Sequence, residues 1–412
     1  MPTIAELVER SGDLKQELVK FGQQRRFAKE LDGFMDETLG RKRVRREAEL
    51  VNTLDFFLLQ HHLPDGSTVV EQFVSEHPAL PRAEREMLLG WRDVVEGIFE
   101  LRRHDGDALV VLNLIDELFY RVHSNMGPGF LDRVQRGTFL VGRLVPVGED
   151  WLLSGTMSSY PPASRQAMRQ AAAETALQRP ALAFRNPQKL EQGWELQRRE
   201  RASFIAFFGS DLIVLPGHEV QQRMRDQMHF LVYEERDERG KSMADLVREA
   251  HETMPPLPEL PLSSELTEAE SVGVIYDEVD GLNFFPDFGL VEESFATPEL
   301  LVDRRHREAV LDYLDEPGFS PLPIRRLADP DPGRASRVFQ ILLKHPGFSW
   351  ERDGEALLRA RKASWFELPP LPSVVPVSGT LAEAQAAAGL DRVREGLSSR
   401  QARRGRRRGR RR

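Results

Sequence analysis

Residues 98–122 run Ile98-Phe99-Glu100-Leu101-Arg102, a polar break at Asp105-Gly106, Leu109-Val110-Val111-Leu112, and then Leu118-Phe119-Tyr120-Arg121-Val122. Two further runs of the same texture, Phe139–Val145 and Trp151–Thr156, follow a Gly127-Pro128-Gly129 loop and a Gly148-Glu149-Asp150 turn. Short segments rich in β-branched and aromatic residues, cut by Gly and Asp turns, predict strands. Five of them in succession predict a small curled sheet or barrel near 96–158, of the SH3 or OB kind. Such barrels serve peptide, RNA and purely structural roles, so function has to be argued from a site and not from the fold.

On the N-terminal side the period changes to helical. Leu14, Leu18 and Phe21 share one face, and Leu50, Val51, Leu54, Phe57 and Leu58 repeat at helical spacing. A further helix follows the turn Pro64-Asp65-Gly66, and another carries Met87, Leu88 and Trp91. Residues 1–160 therefore read as a helical segment plus the small barrel-like sheet. Residues 161–254 return to helix, with Trp194, Phe204 and Phe208 on one side of one segment and Val220, Met224, Met228 and Leu231 on one side of the next. Residues 255–262, with Pro255, Pro256, Pro258 and Pro261, read as a proline linker, because proline removes a donor and disfavours helix before it.

A mixed α/β unit is expected over 263–368. It opens on a strand at Val272–Tyr276, turns at Asp280-Gly281, and continues into a helix with Thr297 as cap and Pro298 in its first turn. Val338, Ile341 and Leu342 mark another helix. Residues 369–412 hold a proline-rich segment, a short helix signalled by Thr380 and Glu383, and an Arg/Gly tail expected to be disordered. The fold class is thus α+β and mostly helical.

Composition narrows the chemistry. The chain of 412 residues is too long for one ordinary core, and 40% hydrophobic residues suffice for globular packing. There is no cysteine, which removes disulfides, thiolate zinc sites, iron–sulfur clusters and cysteine nucleophiles together. The start of the chain lacks the basic-then-apolar pattern of a signal peptide. No window reaches the ~18 apolar residues of a membrane span, so a cytoplasmic protein without membrane attachment is expected. The net charge of −8 conceals an asymmetry: nine arginines and no acid lie in 400–412, and without them 48 basic residues face 65 acidic ones, a charge of −17.

The tail is the densest chemical signal. Arg400, Arg403, Arg404, Arg406, Arg407, Arg408, Arg410, Arg411 and Arg412, spaced by glycine, supply mobile positive charge for phosphate binding through counterion release. With no aromatic residue in it, the tail should discriminate poorly between sequences. The plainer accounts are a solubilising end or an end folded back on the acidic body. Arg41–Arg46 is a second basic run, most simply a solvated helix start. Gly240-Lys241-Ser242 lacks the earlier glycine of a phosphate loop, Glu standing at 235, and reads as a polar turn with Ser242 as helix cap. Asp277 and Asp280, after the Val272–Tyr276 strand, are weak candidates for a metal, but an Asp-Gly turn accounts for Asp280 equally. The ten histidines form no ligand pattern, and neither a nucleophile elbow nor a dinucleotide fingerprint occurs.

Together these features predict a non-catalytic, cofactor-free accessory or adaptor protein. Its arginine tail would tether it to nucleic acid (RNA, the ribosome or DNA), and its body would contact other proteins. The alternatives are a metal-dependent hydrolase using the loop Asp277–Asp280, and an interaction module with a purely solubilising tail. Because 400–412 contain nothing that could enter a core, deleting them should leave the calorimetric unfolding midpoint almost unchanged. A drop of several degrees would mean that the tail docks on the acidic body.

Overall fold

A computed structural model describes residues 2–40, 47–127, 129–249, 257, 262–367 and 369–376. The basic run Arg41–Arg46, nearly all of the proline linker, the Thr380–Glu383 signal and the arginine tail lie outside the described residues. Among the described residues no helix is long and apolar enough to cross a membrane. The chain is mixed α/β and divides into two compact units, Met1–Ala176 and a second beginning at Leu177.

The first unit begins with α1 (Ile4–Gly22), α2 (Ala28–Leu39), α3 (Glu47–Leu59), α4 (Val69–Glu76) and α5 (Arg82–Gly90). Two of these start on reciprocal caps: Thr3 and Glu6 for α1, Thr68 and Glu71 for α4. Each satisfies backbone donors that a helix start leaves unpaired. Leu14, Leu18 and Phe21 of α1 meet Phe57 and Leu58 of α3 in one core with Phe73, Leu88 and Trp91. That core also takes Val145, Val147 and Leu152, so the helical layer packs against the outside of the sheet that follows.

That sheet is a closed barrel of five strands: β1 (Val95–Asp105), β2 (Ala108–Asn113), β3 (Phe119–His123), β4 (Phe139–Val147) and β5 (Asp150–Tyr160). Its order is β1-β2-β3-β5-β4, closed by antiparallel β1–β4 pairing. Strands β3 and β5 pair in parallel, Val122 with Trp151 and His123 with Leu152. Side chains reinforce this seam: His123 Nε2 lies 2.8 Å from Asp150 Oδ2, and Arg121 bridges Asp150 and Asp105. Alternate residues, among them Val95, Phe99, Leu109, Val111, Tyr120, Val122 and Leu144, fill the interior. Helix α6 (Arg165–Gln178) follows.

A buried ionic cluster joins helices to barrel. Asp55, inside the apolar run of α3, is 3% exposed; its Oδ1 meets Lys15 Nζ of α1 at 2.5 Å and accepts from Ser154 Oγ of β5 at 2.9 Å. Its Oδ2 faces Arg143 Nε of β4 at 3.5 Å. One turn earlier, Asn52 exchanges hydrogen bonds with the backbone of Thr156, Oδ1 accepting from its N–H at 2.7 Å. This close approach needs Gly155, whose φ is +68° and where an added Cβ would sit 2.3 Å from Asn52 Oδ1.

In the second unit, β6 (Leu212–Leu215), β7 (Val272–Asp277) and β8 (Gly281–Pro286) form an antiparallel sheet in that order. Both faces are covered. Val272, Val274 and Tyr276 pack with Phe204 of α8 (Pro187–Phe208) and Val220 and Met224 of α9 (Gly217–His229), after the short α7 (Pro180–Ala183). Ile275 and Phe285 pack toward α12 (Phe288–Ala296), α13 (Arg304–Asp315), α14 (Leu322–Ala328), α15 (Pro332–Leu343) and α16 (Trp350–Arg361). The shorter α10 (Met243–Glu249), α11 (Ser264–Thr267) and α17 (Ala363–Phe366) complete the unit.

Three details depart from the sequence reading. Strand β6 falls inside the region read as helix, where four β-prone residues precede Pro216. The face of α9 continues to Val232 and not Leu231, because a π turn at Phe230–Glu234 inserts a residue, with Glu235 N–H reaching Phe230 O at 2.8 Å. Thr297 takes the cap position with Pro298 in the first turn, as read, but the element is a 3₁₀ turn over Pro298–Val302, Thr297 makes no side-chain cap bond, and Asp303 caps α13 through the N–H groups of Arg305 and His306.

Burial by itself would raise the Asp55 carboxyl, but Lys15 and Arg143 outweigh it and hold Asp55 below the usual carboxylate range. Its stabilising effect is therefore present at neutral pH and lost as pH falls through that depressed value. Asp55→Ala leaves Arg143 buried without its countercharge and should cost about 3–5 kcal/mol in urea unfolding at pH 7. A cost below about 1 kcal/mol would show that the cluster is dispensable.

Candidate nucleic-acid interface

The outer face of β1–β3 carries an open groove lined by Arg102, Arg103, His104, Val110, Phe119 and Arg136. Its composition follows from two local irregularities. In a regular strand Arg102 and Arg103 would point to opposite faces. A β-bulge intervenes, since Leu101 pairs with Val111 but Arg103 already pairs with Val110. Both guanidinium groups consequently reach the outside, with side chains 41% and 62% exposed.

The second irregularity is the β2–β3 connection. Asp116, fully buried, accepts from Asn113 Nδ2 at 2.8 Å, from the N–H of Leu118 at 2.9 Å and from Tyr120 Oη at 2.7 Å. Glu117 then adopts the left-handed region, φ +62°. The turn so built sends Tyr120 inward and leaves Phe119 outside, 65% exposed. His104 Nε2, 2.8 Å from Val134 O, ties the end of β1 to the β3–β4 connection, which carries Arg136. That connection exposes two more apolar side chains, Met126 and Phe130.

The groove is not uniformly cationic. Arg102 pairs with Glu100 at 3.1 Å and Arg103 with Asp105 at 3.1 Å. Glu100 is itself almost wholly buried and also meets Arg165. These pairs orient the guanidinium groups while leaving hydrogens free on each, since a guanidinium has five donors.

The residues singled out from sequence are distributed differently. The nine tail arginines lie outside the described residues. Asp277 and Asp280 do come together in the turn between β7 and β8. Asp277 Oδ1 accepts from the N–H groups of Val279 at 2.8 Å and Asp280 at 3.1 Å, which closes the turn from within. Gln197 Nε2 of α8 holds it from outside through Glu278 O and Val279 O, and Gly281 completes it at φ +71°. Among the described residues no group of three or more His, Asp or Glu is placed to hold a metal ion. At Gly240-Lys241-Ser242, Asp237 Oδ1 accepts from the N–H groups of Arg239 and Lys241, and Ser242 exchanges cap bonds with Asp245 on α10.

Sequence reasoning passed over the groove. Phe119 stood inside a run read as one strand, and nothing in its neighbours announces which face it takes. The available signal was Arg102-Arg103, two successive cations in a strand where alternation calls for one apolar residue. No family model, curated protein or solved structure matches this chain.

Burial, and then the neighbouring Asp277 charge, raise the Asp280 carboxyl above its ordinary value. The native state thus binds its proton more tightly than the unfolded chain does, and stability falls as pH rises through that window. Asp280→Asn should accordingly stabilise the protein at pH 7 by on the order of 1 kcal/mol, with the gain vanishing below the ordinary aspartate range. Thermal melts at pH 7 and pH 3 check this. Saturable magnesium or manganese binding that the substitution abolishes would instead mark Asp280 as a ligand.

Proposed function

We propose that this protein is a non-catalytic accessory or adaptor protein that holds single-stranded nucleic acid on the outer face of its barrel, aided by its arginine tail. The observation that carries this reading is Phe119, two-thirds exposed, beside Arg102, Arg103 and Arg136. Exposed aromatic rings stack with bases whatever their identity, and arginines neutralise the phosphates between them. Exposing a phenylalanine to water has no folding benefit, so a ligand is the economical account of its position.

The strand order supports the same reading. A five-stranded barrel running β1-β2-β3-β5-β4, with a parallel β3–β5 pair, agrees with the OB arrangement better than with an all-antiparallel SH3 meander. Barrels of the OB kind take oligonucleotides on the β2–β3 face and the adjoining loops, the region where the groove lies. The body apart from 400–412 carries −17, so it repels polyanions in general and confines binding to its local basic surfaces. The tail supplies mobile charge but no stacking; the groove supplies the stacking. A cytoplasmic location fits this role.

Binding should fall linearly with salt on a log–log plot. About half of the tail arginines engaged on single-stranded RNA contribute a slope of about −3, and three groove arginines about −2. Fluorescence anisotropy with oligo-U and oligo-dT separates the parts. Phe119→Ala should weaken binding roughly 5- to 150-fold at every salt concentration with little change of slope. Replacing Arg102, Arg103 and Arg136 together by Ala should flatten the slope by about 2. If full-length protein fails to bind either strand at low salt, or Phe119→Ala binds as the parent does, the proposal is wrong.

A further inference from the structure

A second cavity in unit 1, separate from the groove and half open to solvent, offers about 230 Å³ between α1, α3, Trp91 and the β4–β5 hairpin. Its walls are apolar: Val19, Leu54, Leu58, Val145 and Leu152. Lys15, Asp55 and Ser154 line it too. A concave apolar space with a few convergent polar groups is the ordinary form of a small-molecule site.

The polar groups indicate the ligand's charge. Asp55 is flanked by Lys15 and Arg143, so one carboxylate serves two cations and the cluster retains a positive charge. The Ser154 hydroxyl donates to Asp55. Of the three ammonium hydrogens of Lys15, one goes to Asp55 and one to Ser154 at 3.3 Å, which leaves a third. The Lys15 side chain is 23% exposed, whereas that of Arg143 is 7% exposed, so Lys15 is the accessible cation.

We infer that this cavity binds a small amphipathic monocarboxylate, its carboxylate taking a charge-assisted hydrogen bond from Lys15 and its apolar body packing on Val19, Leu54, Leu58 and Val145. An apolar cavity of about 150 Å³ admits benzene, so a space of about 230 Å³ admits about nine non-hydrogen atoms, close to the size of a medium-chain fatty acid. A cation is disfavoured by the surplus positive charge, and a neutral alcohol forgoes the charge-assisted bond to the ammonium group. The inference is independent of nucleic-acid binding and stands or falls separately from it.

Calorimetric titration of the full-length protein with octanoate, octanol and octylamine tests it. Octanoate should saturate at one equivalent, octanol should bind at least about tenfold more weakly, and octylamine should not bind. Lys15→Met should weaken octanoate by about tenfold or more and leave octanol unchanged. Val51→Trp, at a lining position 39% exposed, should block octanoate by filling the space without disturbing the core. Absence of saturation by octanoate in the millimolar range, or equal binding of octylamine, overturns the inference. If circular dichroism shows Lys15→Met unfolded, Val51→Trp decides alone: octanoate binding that survives this substitution places the site elsewhere and overturns the inference equally.

Discussion

The buried carboxylate of Asp55 sets the geometry of the first unit. Removing a carboxylate from water is unfavourable by several kcal/mol unless charge and hydrogen bonds replace the solvent. Here the replacements come from three elements remote in sequence: Lys15 on α1, Arg143 on β4 and Ser154 on β5. Apolar contacts alone would tolerate small slides of the helical layer across the barrel. An ion cluster does not, because each oxygen must stay within hydrogen-bond or ion-pair reach of its partner. The Asn52–Thr156 exchange beside it, which requires Gly155 in the left-handed region, fixes the same docking a second time.

The same constraint shapes the adjoining surfaces. Because Asp55 draws Lys15 inward over the Trp91 ring, 5.2 Å from its centroid, a cation is held within an otherwise apolar space. On the other side of the barrel, the bulge at Leu101–Arg103 and the Asp116-centred turn move side chains outward against strict alternation. Both irregularities have a conformational or electrostatic cost, and both sit where the chain exposes its aromatic and cationic groups. Bulges and positive-φ residues are commonly retained at such places because they re-aim a side chain that a regular strand would bury.

Much of the architecture could be read from local pattern. The helical faces of α1 and α3, the five β-rich runs and the Val272–Tyr276 strand each carry their own period, set by the sterics of one segment. The readings that failed depended on one residue's competition with its surroundings. Thr297 takes its cap position, but what it opens is only a 3₁₀ turn, and the longer helix is capped by Asp303, six residues on. Leu231 has the right spacing for a helical face, but a π turn shifts the register by one. Leu212–Leu215 are too few to announce a strand, and they become one because β7 offers an open edge. For the candidate sites, the sequence displayed the arginine tail and the Asp277–Asp280 turn plainly, since charge runs and Asp-Gly turns are local. It did not display Phe119 or Asp55 as special.

By itself the sequence determined the absence of cysteine chemistry, the separation of an acidic body from a cationic end, and the approximate order of helical and β segments. These are properties of composition and of residues a few positions apart. Tertiary structure alone decided that the sheet closes, with β1 pairing to β4 and β3 to β5, that Asp55 meets Arg143, and that Phe119 faces outward beside Arg136. Those outcomes join residues tens of positions apart. Their free energy comes from packing and desolvation summed over the whole unit, set against the entropy of closing the intervening loops. No local period encodes that sum.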